Sequence, residues 1–242
     1  MAAAVTPRRT RDTMRRILSI DGGGIKGAMP AGFLASIEEA LGRPVSEYFD
    51  LISGTSTGGI IALGLGLGLT AREVLSFYER DGVDIFDSHV GTTLIDRLCD
   101  HFAGGRRRLR QLFKSKYDPT ALRAALSKAF GKRRLGDSRV RLVIPSFDPV
   151  AREVHVFKTA HAKRLEVDYK VLAVDVAAAT GAAPTYFPAH ELPTGQILFD
   201  GGVWANNPIA VAVVEAIAVL GWDRDSLRVL SLGCSERALR SL

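Results

Sequence analysis

A serine and an aspartate each stand in a glycine-rich turn directly after a run of strand-forming residues. Ser56 lies in the pentapeptide GTSTG, between the run FDLIS and the apolar residues 60–67. This order is typical of a nucleophile elbow, where a serine occupies a sharp turn between a strand and a helix. Gly54 and Gly58 would avoid a Cβ clash there, and the Thr57 N–H could help to hold an oxyanion. The pentapeptide alone is weak evidence, because a glycine turn with an incidental serine has the same pattern.

Asp200 follows the run QILF and precedes Gly201 and Gly202. At the carboxyl end of a strand it would share with Ser56 the sheet edge where α/β active sites assemble, although a turn or helix-cap aspartate has the same pattern. A serine nucleophile needs a base, and in α/β-hydrolases the histidine follows the acid. We therefore expect Asp200 itself to be the base, because no histidine follows it. The five histidines, taken as surface or structural, are His89, His101, His155, His161 and His190.

A third glycine turn, DGGGIKG, contains Gly22, Gly23 and Gly24 and lies between a predicted strand and a predicted helix. Consecutive glycine N–H groups at a helix N-terminus can bind either an oxyanion or a phosphate. Lys26 would add positive potential or lie solvated on the surface. Together with Gly27, the turn also matches the dinucleotide fingerprint, which expects an acidic residue at the end of the second strand. The nearest candidate, Asp50, precedes that strand's apolar residues, so a nucleotide-binding module with a phosphate cradle stays as an alternative.

Strand and helix patterns alternate along the chain. Apolar periodicity and turn residues predict strands at 16–20, 49–54, 140–147, 153–159, 196–200 and 227–233, and helices at 28–41, 60–67, 71–86, 119–130, 174–183 and 208–220. Such alternation predicts an α/β fold, a three-layer sandwich whose mostly parallel central sheet is flanked by helices.

The glycine triplet, GTSTG, the DGG turn and the segment ATGAAPTYFP together resemble the bacterial patatin-like phospholipases, across residues 16–233. The resemblance implies a Ser-Asp dyad of Ser56 and Asp200 and an oxyanion loop of Gly22, Gly23 and Gly24. It implies phospholipid acyl esters as substrates, an acyl-enzyme intermediate, and no metal or organic cofactor. It is nearest to effectors of antiphage defence that cyclic nucleotides activate, although no residue here identifies that activator.

The chain of 242 residues carries a net charge of +6, with local basic excess at 8–16 and 106–116. Such charge suits a membrane surface or a nucleic acid, and a catalytically idle basic binder is a second alternative. We expect peripheral membrane contact and no nucleic acid partner. The basic segment 106–116 is predicted as either a solvated surface or a phosphate-binding flap.

Residues 1–15 are predicted to be a disordered basic arm before one domain, 16–242. We expect a cytoplasmic protein that contacts the inner membrane peripherally, because no signal peptide is present and the longest uncharged apolar run, 60–69, is too short for a bilayer. Cys99 and Cys234 lie far apart and indicate free thiols rather than a disulfide framework. The chain stops at Leu242, soon after the last predicted strand, so a C-terminal part that carries regulation or lipid contact could be absent.

Overall fold

The computed structural model describes residues 14–86, 117 and 119–234. The predicted basic arm up to residue 13, the basic segment 106–116, Cys99, His89 and His101 lie outside these residues. The strands are β1 Arg15–Ile20, β2 Leu51–Gly54, β3 Arg141–Asp148, β4 Glu153–Lys158, β5 His190–Glu191, β6 Ile197–Asp200 and β7 Leu227–Leu232. The helices are α1 Ala28–Leu41, α2 Thr57–Gly66, α3 Ala71–Phe86, α4 Pro119–Phe130, α5 Ala173–Thr180, α6 Gly202–Ala205 and α7 Ile209–Val214, which continues as a π turn over Glu215–Val219.

The seven strands form one mixed sheet in the order β5-β6-β3-β2-β1-β7, with β4 also paired to β3. The strands β7, β1, β2 and β3 are mutually parallel, whereas β4, β5 and β6 join through antiparallel pairs. The parallel half follows from the strand-turn-helix units at the beginning of the chain, because a parallel connection needs a crossover helix. The predicted three-layer α/β fold is therefore confirmed, with a sheet that is half parallel and half antiparallel.

Alternate residues of the central strands face two separate hydrophobic cores. Leu18 of β1 and Ile52 of β2 belong to the larger core, which α1 to α5 cover. Ile17 and Leu51 point to the opposite face and belong to a smaller core that contains Ala212 of α7. This alternation is the period of two expected for a strand buried on both faces. The sheet is thus the middle of three layers.

The direction of β6 differs from the one that the sequence argument assumed. β6 runs antiparallel to β3 and pairs Asp200 with Ser146, whereas β2 runs parallel to β3 and pairs Ser53 with Val143. The β3 partner of Asp200 thus follows Val143 by three positions, and Ser56 follows Ser53, the β2 partner of Val143, by the same number. Ser56 and Asp200 therefore lie at about the same level along the strands. The two side chains reach the same edge of the sheet because β6 begins outside the carboxyl end of β3, runs back along it and ends at Asp200.

Within the described ranges, every helix is too short or too polar to traverse a bilayer.

Candidate active site

Ser56 occupies a strained turn between β2 and α2. Its backbone has φ 56° and ψ −125°, a region that residues with a Cβ seldom adopt and that marks nucleophile elbows. The turn is held from outside, because the Ser56 N–H donates to Thr180 Oγ1 at 3.0 Å and the Thr180 hydroxyl donates to the Pro145 carbonyl at 2.7 Å. Thr180 ends α5, so this helix fixes the position of the serine.

The two glycines of GTSTG are required by close backbone contacts. A Cβ on Gly54 would overlap the Gly58 carbonyl, and a Cβ on Gly58 would overlap the Ile20 carbonyl at the end of β1. The neighbouring Thr55 is fully buried and donates its hydroxyl to the Ala205 carbonyl at 2.7 Å. Any larger residue at these glycines would force β1, β2 and α2 apart.

Asp200 ends β6 and is only 4 % exposed. Its Oδ1 accepts from the Gly202 N–H at 2.6 Å, and the Ser56 side chain lies beside its carboxylate. Burial raises the pKa of Asp200 to about 6, because the Ser56 side chain and the Gly202 N–H, which lower the pKa, offset only part of the desolvation. Gly201 allows this turn, since a Cβ there would overlap the Pro145 carbonyl.

The glycine triplet lies against both of these turns, and two of its N–H groups already have acceptors. The Gly22 N–H donates to the Asn206 carbonyl at 3.1 Å, and the Asn206 Nδ2 donates back to the Gly22 carbonyl at 3.3 Å. The Gly23 N–H donates to Thr57 Oγ1 at 3.2 Å. Gly24, with φ 59°, begins a 3-10 turn, so its N–H has no partner within that turn. The Thr57 N–H, at the beginning of α2, is equally without an intrahelical partner.

Two residues that support the triplet were missed by the sequence argument. Asn206 forms the pair of hydrogen bonds with Gly22 described above, and Cys234, just past β7, packs so closely that a Cβ on Gly23 would overlap its side chain. The Cys234 Sγ also lies 3.7 Å from the Asp21 carbonyl. Asn206 could have been suspected from the pair Asn206-Asn207 soon after the DGG turn, but nothing near Cys234 indicates its position.

The site opens into a cavity of about 540 Å³ that Ser56, Asp200 and the glycine triplet line together. Its other walls are mainly apolar: Ile25, Ile60, Phe86, Tyr117, Leu122, Tyr186, Phe187 and Val203. The aromatic rings contact one another, and the rings of Tyr117 and Tyr186 stack 5.8 Å apart. Such a cavity can take an apolar chain with a reacting carbonyl at its polar end.

The remaining predicted site residues also lie at this cavity or beside it. Lys26 is exposed and lines the cavity, whereas Gly27 is buried where a Cβ would contact Tyr78 and Thr57. The histidines of the described ranges, in contrast, do not line it. They contact other groups: His155 packs edge-to-face against Phe157, His161 is hydrogen-bonded to Glu215, and His190 is hydrogen-bonded to Asp175. Among the described residues, Asp200 is the carboxylate that lines this cavity beside Ser56.

Comparison with known proteins places the chain within a family. The family model for patatin-like phospholipases matches residues 18–213. A cGAMP-activated phospholipase of Pseudomonas aeruginosa is 35% identical over 218 residues, which cover 90% of this chain and 61% of that protein. A protein of the same description from Vibrio cholerae is 34% identical over 223 residues, covering 88% of this chain and 61% of its own length. The chain thus spans about three fifths of the length of these relatives.

Among solved structures, VipD from Legionella pneumophila superposes with a TM-score of 0.54 at 14% identity, covering 91% of this chain and 50% of that one. At this identity the likeness concerns the fold alone.

Proposed function

The chain belongs to the patatin-like phospholipase family, and from this premise we propose that it is a serine hydrolase of fatty-acyl esters in membrane phospholipids. The observation that carries the proposal is the strained Ser56, whose side chain lies beside the buried Asp200 at the polar end of an apolar cavity. A nucleophile within reach of a base, beside a cavity for the acyl chain, is the arrangement that acyl transfer requires.

In the proposed reaction, Asp200 accepts the Ser56 proton while Oγ attacks the ester carbonyl. The tetrahedral intermediate collapses with cleavage of the ester bond, and the proton passes from Asp200 to the leaving alcohol. Water then attacks the acyl-enzyme, again with Asp200 as base, and Asp200 returns this proton to Ser56 Oγ as the fatty acid leaves. The pKa of about 6 suits both roles, because Asp200 is ionised at neutral pH yet more basic than an ordinary aspartate.

We propose that the Gly24 and Thr57 N–H groups bind the oxyanion, because each begins a helix and has no intrahelical partner. The hydrogen bonds from the Gly22 and Gly23 N–H groups to Asn206 and Thr57 would instead hold the triplet in position. The same observation weakens the nucleotide-binding alternative, since a phosphate cradle would need these donors free.

Two further parts of the proposal depend on the relatives. The name cGAMP-activated phospholipase supports a cyclic nucleotide as activator, and a role as effector in antiphage defence is proposed with it. A phospholipid substrate requires peripheral contact with a membrane.

The decisive experiment is the intact mass of the protein after exposure to a fluorophosphonate, with and without cGAMP. We expect one adduct on the wild type, none on Ser56→Ala, and one on the matched control Ser36→Ala, which removes an exposed serine of α1. An adduct that persists in Ser56→Ala would overturn the assignment of the nucleophile. Phospholipid vesicles then replace the probe, and released fatty acid is measured by mass spectrometry.

A further inference from the structure

The mouth of the active-site cavity carries exposed apolar side chains from three separate parts of the chain. Ile25 from the glycine turn is 44 % exposed, Tyr186 from the loop after α5 is 47 % exposed, and Val203 from α6 is 49 % exposed. Large apolar side chains scattered singly on a surface are ordinary, but several around one opening indicate a surface that contacts another apolar phase.

The apolar surface extends from Ile25 along α1. Met29 and Phe33 follow at intervals of four residues and are 55 % and 48 % exposed, so they lie side by side on the outer face of the helix. The opposite face of α1 is the buried one, with Leu34 and Ala35 in the larger core. Among the described residues, Met29 and Phe33 belong to neither hydrophobic core.

The charge of these segments is unusual for a protein surface. The segments 22–37, 181–189 and 201–214 contain Lys26 as their sole charged residue, whereas 39 residues at the chain average of 24% would contain about nine. Lys26 is a cation that lines the cavity mouth. An apolar surface with a basic residue and no carboxylate complements an anionic lipid headgroup above an acyl layer.

We propose that Ile25, Met29, Phe33, Tyr186 and Val203 form a docking face that inserts into the surface of an anionic bilayer and aligns the cavity mouth with the lipid layer. The inference rests on the proposed function, because a docking face serves the enzyme only if a phospholipid must leave the bilayer to reach Ser56. Binding of the face to a vesicle, however, does not depend on catalysis.

The test is vesicle co-sedimentation of Ser56→Ala protein, in which hydrolysis cannot change the vesicles, using phosphatidylglycerol mixed with phosphatidylethanolamine. In this background we compare Met29→Gln/Phe33→Gln with Leu41→Gln/Val167→Gln. The control pair removes two apolar side chains that are 43 % and 71 % exposed and do not line the cavity. We expect at least about tenfold weaker vesicle binding for the first pair and less than a twofold change for the control.

Equal binding by the two pairs would overturn the docking face. The docking face would also be overturned if it bound a second copy of the chain instead of a bilayer. Analytical ultracentrifugation would then show a dimer that Met29→Gln/Phe33→Gln dissociates. Hydrolysis of a soluble short-chain ester distinguishes a failure of the docking face from a failure of the proposed function. With Ser56 intact, Met29→Gln/Phe33→Gln should hydrolyse that ester at the wild-type rate, and no hydrolysis by the wild type, with cGAMP present, would contradict the function without touching the vesicle result.

Discussion

At the scale of single residues, the proposed mechanism depends on the ionisation of Asp200. The carboxylate must be charged to accept the Ser56 proton, and burial raises its pKa to about 6. We therefore expect kcat/KM for a soluble ester to fall about tenfold per pH unit below about pH 6 and to be level above it, since kcat/KM reports the free enzyme. A profile that stays level down to pH 4.5 would contradict a base with a pKa of about 6, and with it the role proposed for the buried Asp200.

The same burial gives a prediction for stability. A folded-state pKa above the ordinary value of 3.8 means that the stability linked to Asp200 is fully present below pH 3.8 and is lost as the pH rises through about 6. Asp200→Asn should remove this cost, so at pH 8 it should raise the free energy of unfolding by on the order of 2 kcal/mol while abolishing hydrolysis.

Urea unfolding of the wild type and Asp200→Asn at pH 8 and pH 5 measures this effect, and the gain should shrink at pH 5. Asp148→Asn is the matched control, because its carboxylate accepts from the Val150 and Ala151 N–H groups, which lower its pKa. This control should therefore gain no stability at pH 8. Hydrolysis at the wild-type rate by Asp200→Asn would reject the dyad.

At the scale of elements, the glycine triplet is positioned by the end of β7. Gly23 has φ −171°, which any residue can adopt, so a glycine is needed here only because there is no room for a Cβ. A Cβ on Gly23 would overlap Cys234, which also contacts the Asp21 carbonyl. We expect Gly23→Ala to lose at least about tenfold in the rate of ester hydrolysis, because a shifted triplet misplaces the oxyanion donors.

Removing the opposing side chain should restore the rate. Gly23→Ala/Cys234→Gly should regain most of the lost hydrolysis, and Cys234→Gly alone should stay near the wild type. Circular dichroism of each variant checks that it is folded. If the double variant is as slow as Gly23→Ala, Cys234 does not hold the triplet.

Local patterns predicted the helices well, and long-range contacts explain what they missed. The bounds of α1 and α3 match the sequence analysis to the residue, because apolar periodicity is a local property. The direction of β6 was not predictable, since it follows from pairing with β3, some fifty residues earlier in the chain. The acceptors of the Gly22 and Gly23 N–H groups belong to Asn206 and Thr57, which lie 184 and 34 residues away in sequence.

At the scale of the whole molecule, the two faces of the sheet are covered unequally. Several helices bury the larger core, whereas α7 and its π turn cover the smaller core. The π turn begins at Glu215, which is 3 % exposed and accepts hydrogen bonds from Lys158 at the end of β4 and from His161. A buried polar cluster therefore ties α7 to the sheet where its apolar contacts are few.

Acid should weaken this connection. Burial raises the pKa of Glu215, but the hydrogen bonds from His161 and Lys158 lower it by a larger amount. The net pKa therefore lies below the ordinary value of 4.5. The stability that this carboxylate supplies is present above pH 4.5 and is lost as the pH falls through the lowered folded-state pKa. The smaller core should therefore open in acid before the larger one.

Substitution tests the cluster at neutral pH. Glu215→Gln leaves the Lys158 ammonium without its counter-ion and should lower the free energy of unfolding by about 3 kcal/mol. Lys158→Met/Glu215→Gln should recover part of that loss, because the buried charge is gone and the glutamine can still pair with His161. Urea unfolding of Glu215→Gln, Lys158→Met and the double variant gives the coupling free energy. If the losses in the free energy of unfolding are additive, the ion pair does not stabilise the packing of α7. The small apolar core alone would then stabilise this face of the sheet.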